Sequence, residues 1–357
     1  MISWLQPYTP VEQIDDLRRR IAATRWPDDA GDDWSRGTRP SALRDLLIAW
    51  SDFDWAAVEA RLRAETHVLV GAPGSRVHLW RTGTPTAPSV VLIHGWPDSF
   101  MRFRDVAAQL SDLDVIVPSI PGFAFSDPAP SDAGGPRWNA ERILTALDGV
   151  GVSRFIVHGG DLGTAIAEQI AILAPEKVVG LHLSDVPLWR AAHDEALTIE
   201  ERAWVDGAAA WAEEEGAYAA LQRTKPQTLA AALTDSPAAI ASWYLEKFQA
   251  WGAGDVFSRI PIDRLLENLS LHWFTRTAGS AARVYFDRRR FPPTGGRVTV
   301  PTSFGLFPHD IDHGVESFAR RWYPTVNFTR LSSGGHFGAL EHPALLANDL
   351  RRLVAGP

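Results

Sequence analysis

Four short stretches carry residues whose types and spacing could do chemistry. In Phe155-Ile-Val-His-Gly-Gly-Asp-Leu-Gly163 an apolar run enters a turn of small residues centred on Asp161, and a helical pattern follows. A nucleophile on a strained strand-to-helix turn needs small neighbours, and Gly159, Gly160 and Gly163 supply them. The same residues also suit a glycine-rich turn with an acidic helix cap. His94-Gly-Trp-Pro97 directly follows the apolar run Val90–Ile93. A loop in that place can lend a backbone N–H to an oxyanion hole, which makes Trp96 and Leu162, the residue after Asp161, the candidate donors. Trp96–Pro97 is a candidate cis peptide.

Gly334-Gly-His-Phe-Gly338 presents His336 in a glycine-flanked loop after the last strand-like run, where a general base would stand. His342 sits in Glu-His-Pro and reads as a helix start; His309 and His313 are lesser candidates. His67, His78, His182, His193 and His272 look structural or solvent-facing. Phe307-Pro-His-Asp310 follows a strand-like run from Val298 to Leu306, so Asp310 is the favoured acid to orient the base. Asp185 and Asp312 are the alternatives. Asp161, Asp310 and His336 thus occupy three stations in the chain order nucleophile, acid, base of the α/β-hydrolase fold.

An aspartate at the first station selects the chemistry. Serine opening an epoxide, or displacing a halide from saturated carbon, would leave an ether that water does not readily cleave. A carboxylate attacking the same carbon leaves an ester, whose carbonyl activated water can attack. Epoxide hydrolysis and dehalogenation both fit. A halide needs weak N–H donors beside the nucleophile, and Leu162 has no indole to offer, which disfavours a dehalogenase. An epoxide oxygen needs a proton or strong donors, such as tyrosine hydroxyls. Three of the five tyrosines, Tyr218, Tyr244 and Tyr285, fall in one helical block, where packing roles compete with catalytic ones. A non-catalytic small-molecule binder is the reading from another class; an esterase is disfavoured because Asp161 would form an anhydride.

The elements that must position these residues are those of an α/β chain. With 357 residues it can bury a large core. A formal charge of −8 argues against a general nucleic-acid or membrane-surface binder, and the lack of cysteine excludes disulfides and thiolate chemistry. Residues 1–62 read as a helical N-terminal region: Thr9-Pro-Val-Glu12 suits a capping box, helical spacing runs from Val11 to Ile21, and a second helical region covers 41–62. Val68–Val70 and Val77–Trp80 flank a turn and predict a hairpin. Apolar runs at 90–93, 115–117, 155–157 and 178–181 alternate with helical stretches, predicting a mainly parallel sheet covered on both faces. Residues 63–186 form the first part of this core. The block 187–292 is helical and reads as a lid, and 293–357 returns to the core with strand signals at Val298–Val300 and Phe328–Ser332. Most of the fifteen tryptophans read as packing residues. No apolar run has the length of a membrane span and no leader is evident, so the expectation is a cytoplasmic protein; arginine in excess of lysine suggests a bacterial one.

The chain resembles the epoxide hydrolases of the microsomal and juvenile-hormone type over nearly its whole length. The resemblance lies in Asp16-Leu-Arg-Arg-Arg-Ile21 with Thr24-Arg-Trp-Pro27, His94-Gly-Trp-Pro-Asp-Ser99, Pro118-Ser-Ile-Pro-Gly-Phe123 with Phe125-Ser-Asp127, Gly159-Gly-Asp-Leu-Gly163, Phe307-Pro-His-Asp310 and Gly334-Gly-His-Phe337. It implies that Tyr218, six residues before Thr224-Lys-Pro226, and Tyr285, in Ala-Arg-Val-Tyr285, are the catalytic tyrosines, and that Tyr244 is not. It implies a small-molecule epoxide, apolar in view of the aromatic lid, and no cofactor or metal; the acidic charge predicts no nucleic-acid partner, and the membrane anchor of the microsomal members is expected to be absent, a departure from them. Leu162 departs from the family's usual tryptophan, and Asp310 is shorter than the glutamate of many animal members. The particular epoxide, a detoxifying or biosynthetic role, and the oligomeric state are left open.

Overall fold

The computed structural model describes residues 1–28, 31–191, 194, 196–311 and 313–356. His193 and the alternative acid Asp312 lie outside the described residues. The strands are β1 (Ile2–Trp4), β2 (Thr66–Val70), β3 (Val77–Gly83), β4 (Ser89–Ile93), β5 (Asp114–Pro118), β6 (Phe155–Gly159), β7 (Val178–Leu183), β8 (Thr302–Leu306) and β9 (Thr325–Arg330). They form one sheet in the order β1-β2-β3-β5-β4-β6-β7-β8-β9. β2 and β3 are the expected hairpin, and β3 meets β5 antiparallel. From β5 to β9 every neighbouring pair is parallel.

Central strands buried on both faces read as continuous apolar runs, and alternate residues serve opposite layers. Val91, Ile93, Ile116 and Val157 pack with Leu147, Ile166 and Ile170 of the helices Gly135–Gly149 and Leu162–Leu173. Val90, Leu92, Val115 and Val117 pack on the other face with Val106 and with Leu346 and Leu350 of the helix Pro343–Val354. The sheet is therefore a rigid floor, and its parallel strands end at the turns that carry the candidate residues.

Helices fill the interval between β7 and β8, including Ile199–Glu215, Ala217–Thr224, Pro237–Ala250, Ile262–Thr275 and Ala278–Arg290. The helices Val11–Ala22 and Pro40–Asp52 pack on Pro237–Ala250. Trp50 Nε1 donates to Ser270 Oγ at 2.8 Å, and Arg20 pairs with Asp235 at 2.9 Å. The N-terminal helices thus brace the inserted helices from outside.

Four local expectations change. Pro10, with ψ 142°, is the residue before the first helix and no capping box forms; the Thr9 hydroxyl donates to Glu59 Oε1 instead, at 2.6 Å. The region 41–62 is two helices, because Asp54 caps a new one, Trp55–Ala64, by accepting the Ala57 N–H at 3.0 Å. Val298 and Val300 are buried but precede the strand, which spans Thr302–Leu306. Finally, Ile2–Trp4 joins the sheet edge antiparallel to β2 in a region read as helical. No described helix is long and apolar enough to cross a membrane.

Candidate active site

Asp161 stands between β6 and the helix Leu162–Leu173 with φ 57° and ψ −122°, a backbone state that non-glycine residues adopt only under constraint. The constraint is close packing. A Cβ on Gly163 would lie 2.3 Å from the Ile93 carbonyl oxygen, and one on Gly95 would lie 2.6 Å from Asp161 Cβ. Both positions need glycine. The Asp161 N–H donates to Asp185 Oδ2 at 3.2 Å, and the Thr164 hydroxyl donates to the same carboxylate. Asp185, weighed as an acid for the base, instead holds the turn.

The Trp96 N–H donates to Asp161 Oδ1 at 2.8 Å, and Trp96–Pro97 is cis. Asp98 fixes this loop by accepting the Gly95 N–H at 3.1 Å and pairing with Arg102 at 2.5 Å. Arg102 in turn donates to the His336 carbonyl oxygen at 3.2 Å, tying the loop to the histidine's. His94 is buried, and burial lowers its pKa to about 3; its neutral ring accepts the Ile120 N–H at 3.1 Å. Leu162 is the first helical residue after Asp161, where backbone N–H groups have no partner within the helix. Its side chain is buried in the core.

His336 Nδ1 hydrogen-bonds Asp310 Oδ1 at 2.8 Å, which leaves Nε2 directed at Asp161 Oδ2, 3.8 Å away. Asp310 Oδ1 is itself held by the Ile311 N–H at 2.6 Å. The His336 N–H donates to the Trp251 carbonyl oxygen at 2.9 Å, and the Trp251 ring packs edge-on against the imidazole. Burial opposes a charge on His336, but the charge and hydrogen bond of Asp310, with the charge of Asp161, outweigh it and raise its pKa to about 9. Before reaction the ring is therefore an imidazolium between two carboxylates at neutral pH.

Tyr218 and Tyr285 come together over this site. Their rings lie 5.8 Å apart edge to face, Tyr218 stacks on Trp96 at 5.2 Å, and Tyr285 meets Trp96 edge-on at 5.8 Å. Burial, followed by the charge of Asp161, raises the Tyr218 pKa; burial, the neighbouring Tyr218 and Asp161 raise that of Tyr285. Both phenols stay protonated and sense the aspartate. Tyr244 packs behind Trp96 and against His272, and burial alone raises its pKa. His309 forms an isolated bridge with Gly335, and His342 precedes the helix Pro343–Val354.

Sequence reasoning missed the supporting residues Asp98, Arg102 and Trp251, and also Arg288, which lines the cavity with Asp161 and His336. The motif His94–Ser99 contains Asp98, but nothing local shows that its carboxylate folds back on Gly95.

The fold, and the carboxylate at its strand-to-helix turn, define an α/β-hydrolase. Residues 88–248 match the model of the alpha/beta hydrolase fold, and residues 4–103 match that of the epoxide hydrolase N terminus. A Stigmatella aurantiaca protein assigned as an epoxide hydrolase is 33% identical over 96% of this chain and 82% of its own length. Epoxide hydrolase 1 of Oryctolagus cuniculus is 29% identical over 97% and 87%. The crystal structure of juvenile hormone epoxide hydrolase from Bombyx mori superposes with a TM-score of 0.88 at 26% identity, covering 99% of this chain and 94% of that one. Aspergillus niger epoxide hydrolase superposes at 0.86 and 25% identity, covering 99% and 96%. The chain belongs to the epoxide hydrolase family and is a hydrolase acting on epoxides.

Proposed function

We propose that this chain converts an epoxide and water to a vicinal diol through an ester on Asp161. One observation carries the assignment of roles: a carboxylate on a strained turn faces two protonated tyrosines on one side and an acid-paired histidine on the other. Asp161 attacks an oxirane carbon while Tyr218 and Tyr285 hydrogen-bond the ring oxygen and give it a proton. His336, oriented by Asp310, then takes a proton from water as it attacks the ester carbonyl. The Trp96 N–H, already 2.8 Å from Asp161 Oδ1, and the Leu162 N–H receive the oxyanion, each worth ~3 kcal/mol. Esterification itself readies the base. It removes the Asp161 charge that helps hold His336 protonated, so the imidazole releases its proton more readily once the ester exists.

The pH dependence of each half-reaction follows. Ester hydrolysis should rise with pH along a limb whose midpoint lies below the value of about 9 held by the free chain, and level off above it. Ester formation needs ionised Asp161 and protonated tyrosines, not neutral His336, and should lack that limb. Rapid-quench measurements of the two steps across pH check this; a hydrolysis limb centred at or above the free-chain value would contradict it.

The substrate's carbon skeleton is apolar in this reading, because Val186, Leu188 and Trp189 line the cavity shared by Asp161 and His336. Conversion of styrene oxide to its diol tests the activity directly. A cytoplasmic setting, and a detoxifying or biosynthetic use, belong to the same reading and rest on the sequence alone.

A further inference from the structure

Arg288 has no place in the mechanism above, yet its side chain lines the cavity of about 170 Å³ into which Asp161 and His336 open. It lies in the last turn of the helix Ala278–Arg290, followed by Arg289 and Arg290. Cations there commonly complement the helix C-terminus from solvent. Arg289 and Arg290 are exposed and fit that description, and Arg290 donates to the Ser131 carbonyl oxygen at 3.1 Å. Arg288 differs. It is half-buried, and among the described residues its guanidinium has no hydrogen bond or ion pair. The nearby carboxylates are already engaged: Asp287 by Arg283, Asp310 by His336, and Asp185 by the Asp161 N–H. A half-buried guanidinium that faces a cavity without a counter-ion is a site for a planar anion.

We propose that Arg288 is a specificity-determining residue that pairs with a carboxylate carried by the epoxide substrate. The proposal rests on the reading that Tyr218 and Tyr285 hold the ring oxygen. Tyr285 and Arg288 are three residues apart and share a helix face, a rise of about 4.5 Å along the axis. That spacing matches a carboxylate on the oxirane, or one or two carbons from it, with the apolar remainder along Leu188 and Trp189. Asp161, Asp185 and Asp310 repel an anion from the rest of the cavity, so among the described residues Arg288 is the cavity-lining cation, apart from His336, to which it can turn. The carboxylate then fixes how the oxirane is presented to Asp161.

The test compares 3-phenylglycidate with its neutral amide of the same size, on the full chain and on Arg288→Gln and Arg288→Lys. The native chain should favour the acid by ~10-fold or more in kcat/KM, mainly through KM. Arg288→Gln should lower kcat/KM for the acid by ~10–100-fold, leave the amide within about twofold, and be partly rescued by Arg288→Lys. Loss of kcat on both substrates alike would overturn the proposal, because Arg288 would then act on the ring opening itself. Turnover of styrene oxide without preference for the acid would also overturn it, while leaving epoxide hydrolysis intact. Failure to turn over any epoxide would remove the parent reading, and this one with it.

Discussion

Replacing His336 by glutamine is expected to leave a chain that opens one equivalent of epoxide and then stops. In the proposed mechanism ester formation uses Asp161 and the two tyrosines, and glutamine does not remove them. The second step loses the group that activates water, an effect of ~10²–10⁴ for a single general base. Position sharpens the outcome, because the buried His336 ring is held by Asp310 and packed under Trp251 and Phe337 with Nε2 directed at Asp161, a placement that glutamine cannot use to take a proton from water. Intact-mass analysis after mixing with styrene oxide should show the chain heavier by one substrate, with the added mass on the peptide containing Asp161. The gain should vanish when Asp161 is also replaced by alanine. A His336→Gln chain that releases diol at the native rate would remove His336 from the second step.

Replacing both Tyr218 and Tyr285 by phenylalanine is expected to stop the reaction one step earlier. The nucleophile remains, but the ring oxygen must leave as an alkoxide in an apolar cage, without a proton or a hydrogen bond. Each tyrosine alone should cost ~10–100-fold and the pair together ~10²–10⁴-fold or more, with no adduct accumulating in the His336→Gln background. The hydroxyls act as a unit, so the double variant measures their joint contribution and the single values need not multiply. Phenylalanine preserves the stacking of residue 218 on Trp96 and of residue 285 against it, so thermal stability should change little. Native rates in the double variant, seen in single-turnover epoxide consumption, would show that the ring oxygen is protonated by another group.

Much of the site was legible because its signals are local. The turn at Asp161 announces itself through Gly159, Gly160 and Gly163, and the structure shows the steric reason at Gly163. His336 and Asp310 stand in loops after apolar runs, and chain order alone pairs them. The tyrosines were different. Their spacing gave no preference between catalysis and packing, and only the resemblance singled out Tyr218 and Tyr285 from Tyr244. What the sequence hides are contacts across the fold. Asp185 is 24 residues from Asp161 along the chain, and its carboxylate meets that backbone only because β7 runs parallel to β6. Asp98 and Arg102 bind loops from opposite ends of the chain. Arg288 reads as one of three arginines at a helix end until the cavity shows which one turns inward. One error in the fold has the same origin, since the Thr9 hydroxyl takes the distant Glu59 over the local N–H that the pattern suggests, and the edge strand Ile2–Trp4 likewise depends on pairing with β2 more than sixty residues away.

The covalent route is tested most directly by a single turnover in water enriched in heavy oxygen, with the chain in excess over styrene oxide. The expected first diol carries unlabelled oxygen from the Asp161 carboxylate, and the label appears in that carboxylate afterwards. Heavy oxygen in the first diol, with none in Asp161, would mean that water attacks the epoxide directly and would contradict the ester intermediate.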